Sequence, residues 1–396
     1  MFKQISLVFS SRLIASVIQG CMVIWLAREL SLNEFGLLMG LISFTTVLLS
    51  LVEFGLSNGM APWYLSGDTE SVAYALKISR GINLLATLPI LVFTCFYSPN
   101  TAAGWGLALS ITAYAFERQM ETVSALAIAQ NKSKILASAI VTRRLLTVCI
   151  FGLTSGLMVH PLLSFGVSYF LGSALSLLLV LPRGIHAPHF RISKFVNLIT
   201  KSRHFYVANV ANQVRELDVV FLGLFQGANM AAMYVSGQKM TSPFSLLATT
   251  LSQFYLTASG PKGVGWVRKS ALKIATGSLV VLVILGAMWP VISTIYIELF
   301  SSRYHQALRP LFWLVLTVPL SVASGPLAGM LQGIGRERKV GNISGYIGLI
   351  TLLAVFLLPF FCEPYVLALA MTLIALLKFG LLFAVSIGTT KTAQRR

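Results

Sequence analysis

Charge is scarce in this chain. Of its 396 residues only 11% are Asp, Glu, Lys or Arg, against about 25% in ordinary soluble proteins. Acidic residues are the rarer sign, 12 against 30 Lys and Arg. Hydrophobic residues make up 56% and mean hydropathy is +0.81, and no polar stretch between the apolar runs is long enough to be a separate domain. A soluble globular fold is thereby excluded. Cysteine is also sparse: Cys21, Cys95, Cys149 and Cys362 lie in apolar segments without paired spacing, which excludes a disulfide framework and a cysteine metal site. There is no Gly-rich phosphate loop, no nucleophile elbow and no HExxH motif. The expected outer loops are too short to house a glycosyltransferase or ligase active site. These absences disfavour an enzyme, and an ATP-driven pump unless a partner subunit supplies ATP, and no cofactor or metal is expected.

What is present is a succession of apolar runs of the ~20 residues needed to cross a bilayer. They predict an all-α polytopic membrane protein of about 12 transmembrane helices, near 5–27, 35–57, 72–97, 104–128, 135–158, 161–181, 204–225, 230–258, 272–297, 308–333, 342–361 and 364–388. The first run is long and lacks a small-residue cleavage site, so it is expected to stay as the first span. Between the sixth and seventh spans lies the most basic connection, PRGIHAPHFRISKFVNLITKSRHF (Pro182–Phe205). From Ser193 onward Phe195, Val196, Leu198 and Ile199 accompany Lys194, Lys201 and Arg203, a pattern that predicts an amphipathic helix on the cytoplasmic leaflet. His186 and His189 are expected at that interface and not on a metal. The chain divides into a six-helix bundle at 1–181, the basic amphipathic cytoplasmic connection at 182–203, and a second six-helix bundle at 204–396. A faint echo supports two halves: WLARELSLNEFGLLMG from Trp25 and FLGLFQGANMAAMYVSG from Phe221 both read as a span end, a short outer turn and a small-residue span start.

With the N-terminus inside, most Lys and Arg fall at cytoplasmic ends and loops, Lys132, Lys134, Arg143 and Arg144 among them. Only Arg28, Arg303 and Arg309 fall on the opposite side. This asymmetry is the positive-inside rule and predicts cytoplasmic N- and C-termini. The net charge of +18 then reflects topology and attraction to anionic lipid headgroups, with no nucleic acid partner.

The charges left within spans are the candidate functional residues, because each costs at least about 2.5–3.5 kcal/mol at bilayer depth and usually faces a bundle interior or wet cavity. Arg12, Ser16 and Gln19 share one face of the first span; Arg12 either snorkels to headgroups or lines a lumen. Glu53 near the end of the second span is a lone carboxylate, silent if protonated or a titrating gate. In the fourth span Glu117 and Glu121 share a face, and Arg118 reaches Glu121 at i+3. That cluster is either an internal ion pair or a site for H⁺ or Na⁺. In the seventh span Asn209, Asn212, Gln213 and Glu216 share a face with Asp218 opposite, and Arg215 can pair with Asp218 at i,i+3. Lys239, Ser242 and Pro243 predict a kinked eighth span. The run GPLAGMLQGIGRERK (Gly325–Lys339) ends the tenth span with small residues suited to close helix contact. Lys378, mid-way along the last span, is expected to face a lumen. Arg12, Arg118, Arg215, Lys239 and Lys378 are thus candidate substrate-path cations, and Glu53, Glu117, Glu121 and Asp218 candidate coupling or gating carboxylates. A hydrated path through apolar helices points to a transporter of polar or charged cargo.

Four stretches resemble the bacterial polysaccharide flippases, the Wzx-type O-antigen exporters, whose superfamily also contains MATE drug exporters and lipid II flippases. They are VIWLARELSLNEFGLLMGLISF with LVEFGLSNG after it, ELDVVFLGLFQGANMAAMYVSGQKM, and LQGIGRERKVGNISG. The third is the strongest and puts Asp218, Gly223, Phe225, Tyr234 and Lys239 on family positions. The resemblance implies a MATE-like fold of two six-helix bundles around a V-shaped cavity. It also implies movement of an undecaprenyl-diphosphate-linked oligosaccharide from the inner to the outer leaflet of the bacterial cytoplasmic membrane. The partners it implies are that glycan lipid, membrane lipids, a polysaccharide polymerase and a chain-length regulator. Competing readings are a drug or organic-cation antiporter of the same superfamily, which needs an acidic, aromatic cavity, a membrane enzyme, and a scaffold.

Overall fold

The computed structural model describes residues 2–97, 101–157, 159–181 and 192–388. Residues 182–191 of the basic connection, with His186 and His189, lie outside the described residues, as do 389–396 and the side chains of Arg203, Asn209 and Asn212. The chain is all-α and polytopic. It forms two compact units, Met1–Val220 and Phe221–Arg396, a division later in sequence than 203/204.

In the first unit, α1 (Phe2–Glu29) turns sharply into α2 (Leu32–Val52). Ser31 ends the turn: its hydroxyl accepts from Glu34 N while the Glu34 carboxylate accepts from Ser31 N at 3.0 Å, a capping box. The second span stops at Val52, short of the expected 57. Phe54 and Gly55 take positive φ (52° and 71°), and the chain re-enters a short helix not foreseen from the sequence, α3 (Leu56–Leu65). Then follow α4 (Thr69–Tyr97), α5 (Ala102–Ala129), α6 (Ser133–Ser155) and α7 (Pro161–Val180). α5 lies against α7 with no side chain between them where they cross: a Cβ on Gly106 would strike the Leu162 carbonyl, and one on Gly166 the Gly106 carbonyl. The core of the unit joins Leu56, Val72, Tyr74, Met120, Leu136 and Leu198.

From Ile192 the connection is helical, but not as a separate amphipathic piece. α8 (Ile192–Gln213) runs straight into the expected seventh span and packs on α2, α3 and α4. Its ammonium groups are engaged with carboxylates: Lys194 pairs with Glu70, and Lys201 with Asp68 at 3.4 Å. Ser202 donates to the Phe54 carbonyl at 2.8 Å, and Leu198 is buried. A 3-10 turn, Val214–Glu216, separates α8 from α9 (Leu217–Gln226), so the seventh span is not one continuous helix.

In the second unit, α10 (Ala228–Thr241) ends at Ser242 and α11 (Pro243–Ala287) starts on a proline. The expected eighth span is therefore broken next to Lys239, where Pro243 removes a helical donor. Gly263 inside α11 takes φ 72° and ψ −177° and breaks it again. The ninth span is split too, α12 (Trp289–Phe300) beginning around Pro290. α13 (Leu308–Gly333), α14 (Glu337–Phe361) and α15 (Pro364–Ile387) follow the expected last three spans closely. Gly325, Gly329 and Gly333 face α11 along one row: added methyl groups would fall on the carbonyls of Ala248, Ser252 and Leu256. The small-residue run thus does what its spacing predicts.

Nine helical segments among the described residues are long and apolar enough to cross a membrane. The expected spans at 104–128, 204–225 and 230–258 are not among them. The first is the intact helix α5, weighted down by Glu117, Arg118 and Glu121; the other two are broken by the 3-10 turn and by Pro243.

Candidate functional site

The charged residues of the first unit collect around α5. Glu117 and Arg118 are successive residues and point to different neighbours. Glu117 faces α6 and α7. Its Oε1 accepts from Arg144 at 2.6 Å and pairs with Arg143 at 2.9 Å, while the Tyr169 hydroxyl donates to Oε2. The Arg144 guanidinium also lies 5.9 Å from the centre of the Tyr169 ring, close enough for a cation–π contact. All four side chains are buried. Arg143 keeps its Nε and Nη1 without a hydrogen-bond partner.

Arg118 faces α2 instead. It binds Glu121 at 2.9 Å on its own helix, and Ser50 Oγ at 3.1 Å and Glu53 Oε2 at 3.4 Å across the interface. Thr122, one turn on, donates to Glu53 Oε1 at 2.8 Å. The rest of the same surface is neutral and hydrogen-bonded: Thr46 to Tyr114 at 2.6 Å, and Asn83 to Gln119 at 2.8 Å.

Three sequence expectations change here. Glu53 is not a lone carboxylate, because the turn at Phe54 and Gly55 halts α2 where Arg118 and Thr122 can reach it. Glu117 and Glu121 do not act as one acidic cluster: Glu117 is enclosed by α6 and α7, whereas Glu121 stays 47% exposed. Arg143 and Arg144 are not at a cytoplasmic edge, since they lie mid-way along α6 (Ser133–Ser155) and are the partners of Glu117. Sequence reasoning missed them as site residues although their place inside the span 135–158 was the signal. With their ordinary charges, Glu53, Glu117 and Glu121 balance Arg118, Arg143 and Arg144.

The other candidates lie on other elements. Arg215 sits in the 3-10 turn, half-buried, with its Nε unpartnered. It makes no ion pair with Asp218; the turn's tighter winding replaces the α-helical i,i+3 geometry on which that expectation relied. Asp218 is fully buried and caps its own neighbour, accepting from Val219 N at 2.7 Å. Glu216 accepts from Ser43 at 3.4 Å. Arg12 is exposed on α1. Lys239 is half-buried in the last turn of α10, and Lys378 is half-buried in the middle of α15. No cluster of His, Cys, Asp and Glu among the described residues could hold a metal ion.

Residues 1–255 match the family described as polysaccharide biosynthesis protein. No curated protein matches the chain in sequence. Among solved structures, the lipid II flippase MurJ in an inward closed conformation superposes with a TM-score of 0.72 at 13% identity, over 95% of this chain and 87% of that one. An inward-facing multidrug resistance MATE family transporter of the MOP superfamily gives 0.69 at 12% identity, over 94% and 93%. A MOP superfamily transporter from Pyrococcus furiosus, described as having a binding pocket of reverse polarity, gives 0.62 at 12%, over 97% and 94%. At such identities the likeness establishes a MATE-like fold, which hosts more than one cargo.

Proposed function

The chain belongs to the polysaccharide biosynthesis protein family, a family of multi-pass membrane transporters and not of enzymes, and on that footing we propose that it is a flippase for a lipid-linked glycan. The cargo is an undecaprenyl-diphosphate-linked oligosaccharide, an O-antigen or similar surface-polysaccharide repeat unit. It moves from the inner to the outer leaflet of the bacterial cytoplasmic membrane through a twelve-span chain with both termini in the cytoplasm. A diphosphate and several sugars cannot cross hydrocarbon unaided, because every polar group would be desolvated without a partner. Alternating access between two halves supplies the polar path, coupled to H⁺ or Na⁺ through intramembrane carboxylates. A polysaccharide polymerase and a chain-length regulator would receive the product.

One observation favours an anionic cargo over the organic cation that an antiporter would take. Glu53, Glu117 and Glu121 are all occupied by arginines, whereas Arg12, Arg215 and Lys239 enter no ion pair among the described residues. The cations left over are therefore candidates for the diphosphate, and Arg118 passes from the substrate path to the neutral network. The test is complementation of a strain lacking its own O-unit flippase, with surface polysaccharide as the readout and protein levels matched. Wild type should restore the polymer. Lys239→Ala and Arg215→Ala should lower it, and Asp218→Asn should also do so if that carboxylate couples transport. If wild type fails with several lipid-linked glycans yet lowers drug accumulation, the antiporter reading replaces this one.

A further inference from the structure

A second polar site lies away from the charges within the spans. Where α4 begins and α8 crosses it, the two helices leave a cleft of about 200 Å³, room for about six or seven waters by their liquid volume. Asp68 and Glu70 form one wall with Tyr74; Lys194, Asn197 and Lys201 form the other. On α8 those three fall at i, i+3 and i+7, one face of the helix. The carboxylates and ammonium groups are matched pairwise across the cleft, Lys194 with Glu70 and Lys201 with Asp68, and Lys194 Nζ also stands 5.4 Å from the centre of the Tyr74 ring. None of these four charges is sealed: Glu70 is 56% exposed and Lys201 46%. The candidate membrane span of α4 is Thr69–Val92, so the cleft lies at the end of a span, where lipid headgroups are expected.

We propose that this cleft binds the headgroup of a zwitterionic aminophospholipid. The reason is charge conservation. A phosphate entering alone would meet two carboxylates as well as two lysines, in a cleft with no net charge. A primary ammonium entering alone would meet the mirror-image conflict. A headgroup carrying both leaves the cleft neutral, its one phosphate set between Lys194 and Lys201 and its one ammonium donating to Asp68 and Glu70. Asn197 can serve either end, being both donor and acceptor. A quaternary ammonium of equal charge has no N–H to donate, so the site distinguishes phosphatidylethanolamine from phosphatidylcholine. The inference is independent of the transported cargo.

The test uses the full chain in nanodiscs containing equal parts of phosphatidylethanolamine, phosphatidylcholine and phosphatidylglycerol, with retained lipid counted by native mass spectrometry on release. Phosphatidylethanolamine is expected to be retained about fivefold over the other two, the ratio that about 1 kcal/mol of exposed charge pairing supplies. Asn197→Trp fills the cleft while leaving both ion pairs intact. It should bring the three lipids to parity at an unchanged melting temperature. Asp68→Asn with Glu70→Gln strips the acidic wall and should turn the preference toward phosphatidylglycerol. Equal retention of phosphatidylglycerol by wild type, or no effect of Asn197→Trp, overturns the proposal. Binding of free O-phosphoethanolamine as tight as that of the whole lipid would overturn the lipid assignment and make the ligand a soluble one.

Discussion

Glu117 is held by two guanidinium groups, and they do not hold it equally. Arg144 has the shorter bond, 2.6 Å, and the face of Tyr169, while Arg143 carries two unpartnered donors. Removing one member of a buried ion pair costs about 3–5 kcal/mol because the other charge is left in a medium that solvates it poorly. Glu117→Gln should lose about that much stability, since two buried guanidinium groups then face each other without a counter-ion. Arg143→Met leaves a matched Glu117–Arg144 pair and should cost less than Arg144→Met; added to Glu117→Gln, it should restore part of the loss. Melting followed by tryptophan fluorescence in detergent ranks the four variants. Equal losses for the two arginine variants would mean that they share the charge evenly. Outside the spans, Asp68 presents a simpler case. The Ser71 hydroxyl donates to it at 2.7 Å and holds its carboxyl below the ordinary value of 3.8, with Ser71 N and Lys201 adding to this against a counteracting burial. A depressed native pKa means that the contribution is whole above pH 3.8 and falls away as pH drops toward the native value. Between pH 6 and pH 3 wild type should therefore lose more melting temperature than Asp68→Asn, whose amide does not titrate.

At the level of helices, the packing of α13 on α11 rests on the absence of side chains at Gly325, Gly329 and Gly333. Gly329→Leu should force the pair apart at a cost of about 1–3 kcal/mol, the usual range for overpacking. Gly345→Ala on α14, where a new Cβ meets nothing within 4 Å, should be neutral or slightly stabilising. Comparing melting temperatures of the two variants separates lost packing from glycine replacement as such. The glycine row was legible in the sequence because four-residue spacing of small residues has one physical use in a helix pair. The spans from 308 onward were legible for the same kind of reason: long apolar runs with no charge but Arg309 at the start of the first and Lys378 in the last. Legibility failed where a few residues overrule the period. Phe54 and Gly55 reverse the chain inside an apolar stretch, Val214–Glu216 tightens the winding, and Gly263 bends an otherwise helical run. It also failed for Arg143 and Arg144, since charge counting assigns any arginine near a basic loop to that loop. Glu117 is on the preceding helix, α5, and only the third dimension shows that the two arginines turn toward it rather than toward the loop.

For the whole molecule, the basic residues predict both termini in the cytoplasm. A fluorescent protein joined after Arg396 should fluoresce, and alkaline phosphatase joined at the same place should stay inactive; the opposite pattern would reverse the topology and with it the assigned direction of transport. The two units also differ in their intramembrane charge. Of the candidate residues, every carboxylate belongs to the first unit, while the second holds only Lys239 and Lys378. The network of Glu53, Glu117 and Glu121 with Arg118, Arg143 and Arg144 has a consequence in the language of membrane potential. One elementary charge carried across 100 mV is worth about 2.3 kcal/mol, so a charged helix bundle that rocked through the field would do electrical work on each cycle. A group of six charges that sums to zero does none when it is carried along the field as one body, and only the turning of its dipole, between the cationic set at Glu117 and the anionic set at Glu53, couples to the voltage. The voltage across the bilayer then acts chiefly on what the protein carries and on its few uncompensated cations.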